Sequence, residues 1–147
     1  MSATFAFRIA LCIAACALPT LAPAGRAEVV PVVSIKSSVT VLHAAQLVDI
    51  FLGKESRFPN GEPAMPIDQA EGSEARDEFY TRYAGRSHAE LKSYWSKLIF
   101  TGKAQPPRQA HSVEKLRKTL SDNPHAIGYL QRHEVDGQLR IVEIKGK

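Results

Sequence analysis

Short β-branched apolar runs and amphipathic stretches at helical spacing alternate along residues 29–144, and this alternation limits the fold more than any other feature. Val29–Ile35 is rich in valine and reads as a buried strand, with Pro31 near its start. His43–Leu52 reads as a helix with Leu47, Ile50 and Phe51 on one face, and Gly53 stands where a helix C′ glycine would. Ala64–Ile67 is a short strand between prolines, after a turn at Phe58-Pro59-Asn60-Gly61. Ser73 caps a helix that carries Phe79 and Tyr83 at i, i+4 and stops at Gly85. Ser87-His88-Ala89-Glu90 is a capping box. Behind it Leu91, Tyr94, Trp95, Leu98 and Ile99 form the clearest amphipathic helix of the chain. Residues 102–109 read as a loop. Ser112 caps a helix with Val113, Leu116 and Leu120, which Asn123-Pro124 stops. Ala126–Leu130 and Leu139–Ile144 are the remaining strands, separated by a turn at Asp136-Gly137. Four strands alternating with helices predict one α/β domain with a mixed or mostly parallel sheet flanked by helices. With 147 residues the chain is long enough for one domain and too short for two large ones. Phe79 and Trp95 are expected in the core.

Residues 1–27 read as an export signal, which leaves residues 28–147 as the folded domain. Arg8 provides a positive start, Ile9–Leu18 is apolar, and Pro19 interrupts any helix. Ala22-Pro23-Ala24 and Gly25-Arg26-Ala27 both fit a signal-peptidase site, so cleavage is expected after Ala24 or Ala27 and the product in the periplasm. A membrane anchor is the other reading, but the apolar run falls short of the ~20 residues a spanning helix needs. Ile13-Ala14-Ala15-Cys16 also resembles a lipobox, which would make Cys16 a lipidated residue. Both cysteines, Cys12 and Cys16, lie in this segment. A cleaved, soluble product would therefore have no thiol nucleophile, disulfide or Cys-ligated metal.

The charge balance does not favour nucleic acid. The formal charge is +4; leaving out Arg8 and Arg26 gives 17 basic against 15 acidic residues. The basic residues Lys115, Arg117 and Lys118 read as the solvated face of a helix. Of the five histidines no pair stands at i, i+4 beside a carboxylate, and neither G-x-S-x-G nor GxxxxGK[ST] occurs. Enzyme chemistry and a metal or other cofactor are therefore not expected.

One turn has binding chemistry. Glu71-Gly72-Ser73 lies between a predicted strand and a helix start. Gly72 permits close backbone approach, and the N–H groups of Ser73, Glu74 and Ala75 would point outward, an arrangement that suits an oxyanion. The plainer reading is that Ser73 only caps the helix.

Four stretches together resemble the phosphate-receptor branch of the periplasmic substrate-binding proteins of ABC importers. Gln46–Lys54 with Phe58-Pro59-Asn60-Gly61 is similar to that family's "IF.GK" segment and the turn after it. Pro66-Ile67-Asp68, Glu71-Gly72-Ser73 and Phe79 are similar to the strand, the DGSGT anion turn and the next helix. Tyr94-Trp95 with Gly102 is the third match, and Asn123–Leu130 is similar to "pgaIGYv". The order is the family's, and the matches cover the middle lobe of the receptors together with a leading strand.

The resemblance implies a single lobe of a type 2 periplasmic-binding fold. It implies a phosphate or similar oxyanion at Glu71, Gly72 and Ser73, with Glu71 replacing the aspartate that accepts a phosphate proton. Arg76, one turn into the helix, is our own addition as a source of positive charge. The chain also departs from the family. Gln69 stands where an arginine contacts the anion, Glu74-Ala75 replaces Gly-Thr, and the serine turn of the other lobe has no counterpart. The expected function is a periplasmic phosphate- or oxyanion-binding protein linked to phosphate transport. Its expected partners are an ABC permease or other envelope protein and a second copy that closes the cleft. The alternative is an accessory or scaffold protein that keeps the fold without the ligand.

Overall fold

The valine-rich run forms the strand β1 (Val29–Ser34), and all six of its residues are buried because helices cover both of its faces. The computed structural model describes residues 28–146; the expected export segment, its cleavage sites and Cys16 lie outside them. The elements after β1 are β2 (Val41–His43), α1 (Ala44–Phe51), β3 (Met65–Gln69), α2 (Glu74–Phe79), α3 (His88–Phe100), β4 (Arg108–Ala110), α4 (Val113–Asp122), β5 (Ala126–Gln131), β6 (Leu139–Ile141) and β7 (Glu143–Lys145). A π-helical turn, Tyr80–Ala84, continues α2, and a 3₁₀ turn, Arg132–Glu134, follows β5.

Five strands form one sheet in the order β4-β3-β5-β1-β6. β3 is parallel to β4 and β5, whereas β1 is antiparallel to β5 and β6, so the sheet is mixed. β2 and β7 pair in parallel as a separate ribbon. The period-2 alternation of strand side chains divides the core in two. Val29 and Val33 of β1 join Ile127 and Tyr129 of β5 beneath α1, α2 and α3, through Leu47, Phe51, Phe79, Leu91 and Trp95. Val30, Val32, Ala126 and Leu130 face the other way, onto Leu116 and Leu120 of α4. Gly128 lets α4 sit close to the sheet: a Cβ there would lie 3.1 Å from Leu120 Cδ1 and 3.2 Å from Leu116 Cδ1.

The predicted caps hold locally. Ser87 Oγ accepts from the Glu90 N–H at 3.3 Å, and a Glu90 carboxylate oxygen accepts from the Ser87 N–H at 2.8 Å. Gly53, just past α1, has φ +70°, and a Cβ there would press on the Trp95 ring at 3.2 Å. The Tyr94 hydroxyl donates to the Leu52 carbonyl at 2.7 Å, tying α3 to the end of α1.

Four expectations about the elements change. The last strand is two: Val142 breaks 139–144, its N–H donating to Pro31 O at 2.9 Å while its side chain enters the α1–α3 core. Leu139 belongs to the core on the other face, so the chain crosses between sheets at this point. β2 and β4 are three-residue strands with polar or exposed positions, too short for a periodic signal. Ile99, placed on the inward face of α3, is half exposed.

Candidate functional site

β3 delivers its C-terminal end to a turn, Ala70–Ser73, that starts α2. The carboxyl end of a parallel strand is where open α/β sheets hold ligands. Gly72 has φ +85°, a conformation that disfavours any residue with a Cβ, and the Ser73 N–H closes the turn on Ala70 O at 3.1 Å. Among the described residues nothing lies within 4 Å of where a Gly72 Cβ would stand, so the turn opens outward. Ser73 is the N-cap, its Oγ accepting from the Arg76 N–H at 3.2 Å. The N–H groups of Glu74 and Ala75 remain without an intrahelical acceptor. The expectation of three outward N–H groups is thus corrected to two, because the turn itself uses that of Ser73.

Arg76 is placed differently from the expectation. It is 6% exposed, and its Nε donates inward to Asp68 Oδ2 at 3.1 Å. Its guanidinium also lies over the Tyr80 ring, 5.3 Å from the centroid. Burial by itself lowers the Arg76 pKa, but the Asp68 charge and hydrogen bond outweigh it, so the guanidinium is held charged. Its positive charge is therefore compensated inside the fold.

Asp68, 1% exposed at the end of β3, is the centre of a polar network that sequence reasoning missed. Oδ2 accepts from Arg76 Nε and from the Tyr80 hydroxyl at 3.1 Å. Oδ1 accepts from the Tyr129 hydroxyl and from the Gln69 N–H at 2.9 Å. Gln69, at the position of the family's arginine, is buried and its Nε2 donates to Tyr129 O at 2.9 Å. It stitches β3 to β5 and does not face the turn. Burial first, and then the Asp68 charge, push the Tyr80 and Tyr129 hydroxyls far above the ordinary tyrosine range. The only sequence signal for this network was a carboxylate in an otherwise apolar short strand.

The rim of the turn is acidic. Glu71 is exposed, and its Oε1 lies 3.3 Å from His88 Nε2. His88 Nδ1 lies 3.5 Å from Asp77 Oδ1 but makes no hydrogen bond there, so the imidazole stands between two carboxylates. Glu74 is exposed at the first helical position. A shallow cavity of about 430 Å³ beside it is lined by Glu74, Asp77, Glu78, Thr81 and Arg82. A larger cavity of about 650 Å³ lies elsewhere, between Ala44 and Val48 of α1, Tyr83 and Ile144. Glu71, Gly72 and Ser73 are therefore together in one turn, and Arg76 stands behind them, facing Asp68. Among the described residues no helix is long and apolar enough to cross a membrane.

No family model matches the chain, and no curated protein matches it in sequence. Solved structures match it in fold. An ABC-type phosphate transport receptor from Vibrio cholerae has a TM-score of 0.63 at 16% identity, over 81% of this chain and 47% of that one. A phosphate ABC transporter substrate-binding protein from Clostridium perfringens, solved with bound phosphate, has a TM-score of 0.60 at 21% identity, over 79% of this chain and 44% of its own. PstS from Borrelia burgdorferi has a TM-score of 0.59 at 14% identity, over 81% of this chain and 47% of its own. The chain spans about half the length of each. It has the fold of a single-lobe portion of the phosphate-transport receptors.

Proposed function

We propose that this chain is an exported, single-lobe oxyanion-binding protein of the cell envelope that takes phosphate at the start of α2. The observation that carries this reading is the turn 70–73. It places two N–H groups without intrahelical acceptors, an open-faced glycine and a capping serine at the carboxyl end of a parallel strand. The fold shared with phosphate-transport receptors supports it. The acidic rim sets the specificity. The carboxylates of Glu71 and Glu74 accept hydrogen bonds, so they suit an oxyanion that carries a P–OH donor, such as hydrogen phosphate, and repel sulfate, which carries no proton at neutral pH. One lobe buries a ligand incompletely, so affinity is weak until a second surface closes over it. A second copy of the chain or an ABC permease would supply that surface.

A second reading is a ligand-free envelope scaffold. The Glu71–His88 pair and the inward charge of Arg76 favour it, because both withdraw groups that would hold an anion. Thermal melting in phosphate, sulfate and chloride at matched ionic strength separates the two. At a hundredfold excess over Kd, binding adds about 2.7 kcal/mol, a rise on the order of 10 °C for a domain of this size. A rise with phosphate alone, lost in Ser73→Ala, supports the binding protein. Equal melting in all three anions supports the scaffold.

A further inference from the structure

The last turn of α3 ends in an aromatic side chain that the protein leaves uncovered. Phe100 is 92% exposed, and Ile99 beside it is half exposed. The rest of the helix keeps its amphipathic order, with Leu91 and Trp95 buried and Tyr94 and Leu98 packed at the edge of the core. At 100° per residue Phe100 lies on the face opposite Leu91, with the exposed Ser96 and Lys97 about one turn before it and Lys92 two turns before it on the same side of the helix. Lys103 follows in the loop.

The sequence flanking Phe100 carries one sign. Residues 91–113 contain no Asp or Glu, but they contain Lys92, Lys97, Lys103 and Arg108, all exposed. None of these four pairs with a carboxylate of the described residues. The one acid of α3, Glu90, is at its far end and is engaged by Ser87.

We propose that this end of α3 docks on an anionic lipid surface, with Phe100 and Ile99 entering the boundary between headgroups and acyl chains. Charge complementarity points to an anionic partner. The shape of the patch distinguishes a bilayer from an acidic protein. Phe100 projects from a helix end at 92% exposure and lines neither of the two cavities described above. Lysines on both sides of it can lay their stems along the apolar layer and keep their ammonium groups among phosphates. One aromatic with Lys97 and Lys103 three residues to either side of it in sequence makes a reversible, salt-sensitive contact. The patch lies on a different element from the anion turn, so it stands whether or not that turn binds phosphate.

Hydrogen exchange of the full chain with vesicles tests this segment by segment. The vesicles are phosphatidylcholine with or without about 30% phosphatidylglycerol. Phosphatidylglycerol vesicles are expected to slow exchange in residues 97–103 about tenfold, with pure phosphatidylcholine inactive. The protection is expected to vanish in about 0.5 M salt. It should also vanish in Phe100→Ser, whose melting temperature is expected to stay at the wild-type value because the side chain is 92% exposed, and in the Lys97→Gln/Lys103→Gln variant. No protection at 97–103, or equal protection in Phe100→Ser, would overturn the proposal. Protection by polyglutamate without protection by phosphatidylglycerol vesicles would assign the patch to an acidic protein and also overturn it.

Discussion

The rings of Phe79 and Tyr129 stack 4.1 Å apart and within 8° of parallel, joining α2 to the centre of the sheet. Phe51 packs against both, at 4.7 and 5.8 Å. The helix that begins at the candidate anion turn is therefore held from behind by an aromatic cluster. Phe79→Ala should cost 3–5 kcal/mol, roughly what removing a large buried ring costs. Urea unfolding measures it, and a loss below about 1 kcal/mol would mean that the ring is not a core contact.

The Asp68–Arg76 pair anchors the same helix by charge. Asp68→Asn leaves a buried guanidinium without its counter-charge, and a loss of about 3–5 kcal/mol is expected. Arg76→Met in that background should restore part of the stability, because the unpaired charge is gone. A double variant as unstable as the sum of the two singles would show that the pair is not coupled.

Alkaline stability should follow the two buried tyrosines. In the unfolded chain tyrosine ionises near pH 10, while Tyr80 and Tyr129 are held protonated in the fold well above that. Their folded values are raised, so the contribution is complete below pH ~10 and is lost as pH rises beyond it, by about 1.4 kcal/mol per pH unit for each hydroxyl. Phenolate absorbance should show these two tyrosines titrating only as the protein unfolds. All four tyrosines titrating together before unfolding would contradict the buried network.

Gly128→Ala tests the packing of α4. A strand glycine replaced by alanine ordinarily gains a few tenths to about 1 kcal/mol. Here the new methyl meets Leu120 and Leu116 at 3.1–3.2 Å, both fully buried, and displacing them is expected to give a net loss of about 1–3 kcal/mol. A gain on thermal melting would mean that α4 can move off the sheet.

The α/β class, all four main helices and the three central strands were legible because each has a period, a cap or a breaker that acts locally. Ser73, Ser87 and Ser112 all cap where expected. β2 and β4 were not legible, because three residues carry no period and their pairing comes from distant strands. The site shows the same division. The turn at Glu71-Gly72-Ser73 follows from local chemistry, whereas the direction of Arg76 follows from Asp68 and from hydroxyls 12 and 61 residues from that carboxylate. The His88–Glu71 pair likewise depends on how α3 returns past the turn.

The central claim, that an oxyanion sits on the first turn of α2, is tested most directly by following backbone amide resonances while inorganic phosphate is added at constant ionic strength. The account predicts saturable shifts largest at Gly72, Ser73, Glu74 and Ala75, with sulfate giving far smaller ones. No saturable shift at these four amides, or shifts centred elsewhere in the fold, would contradict it.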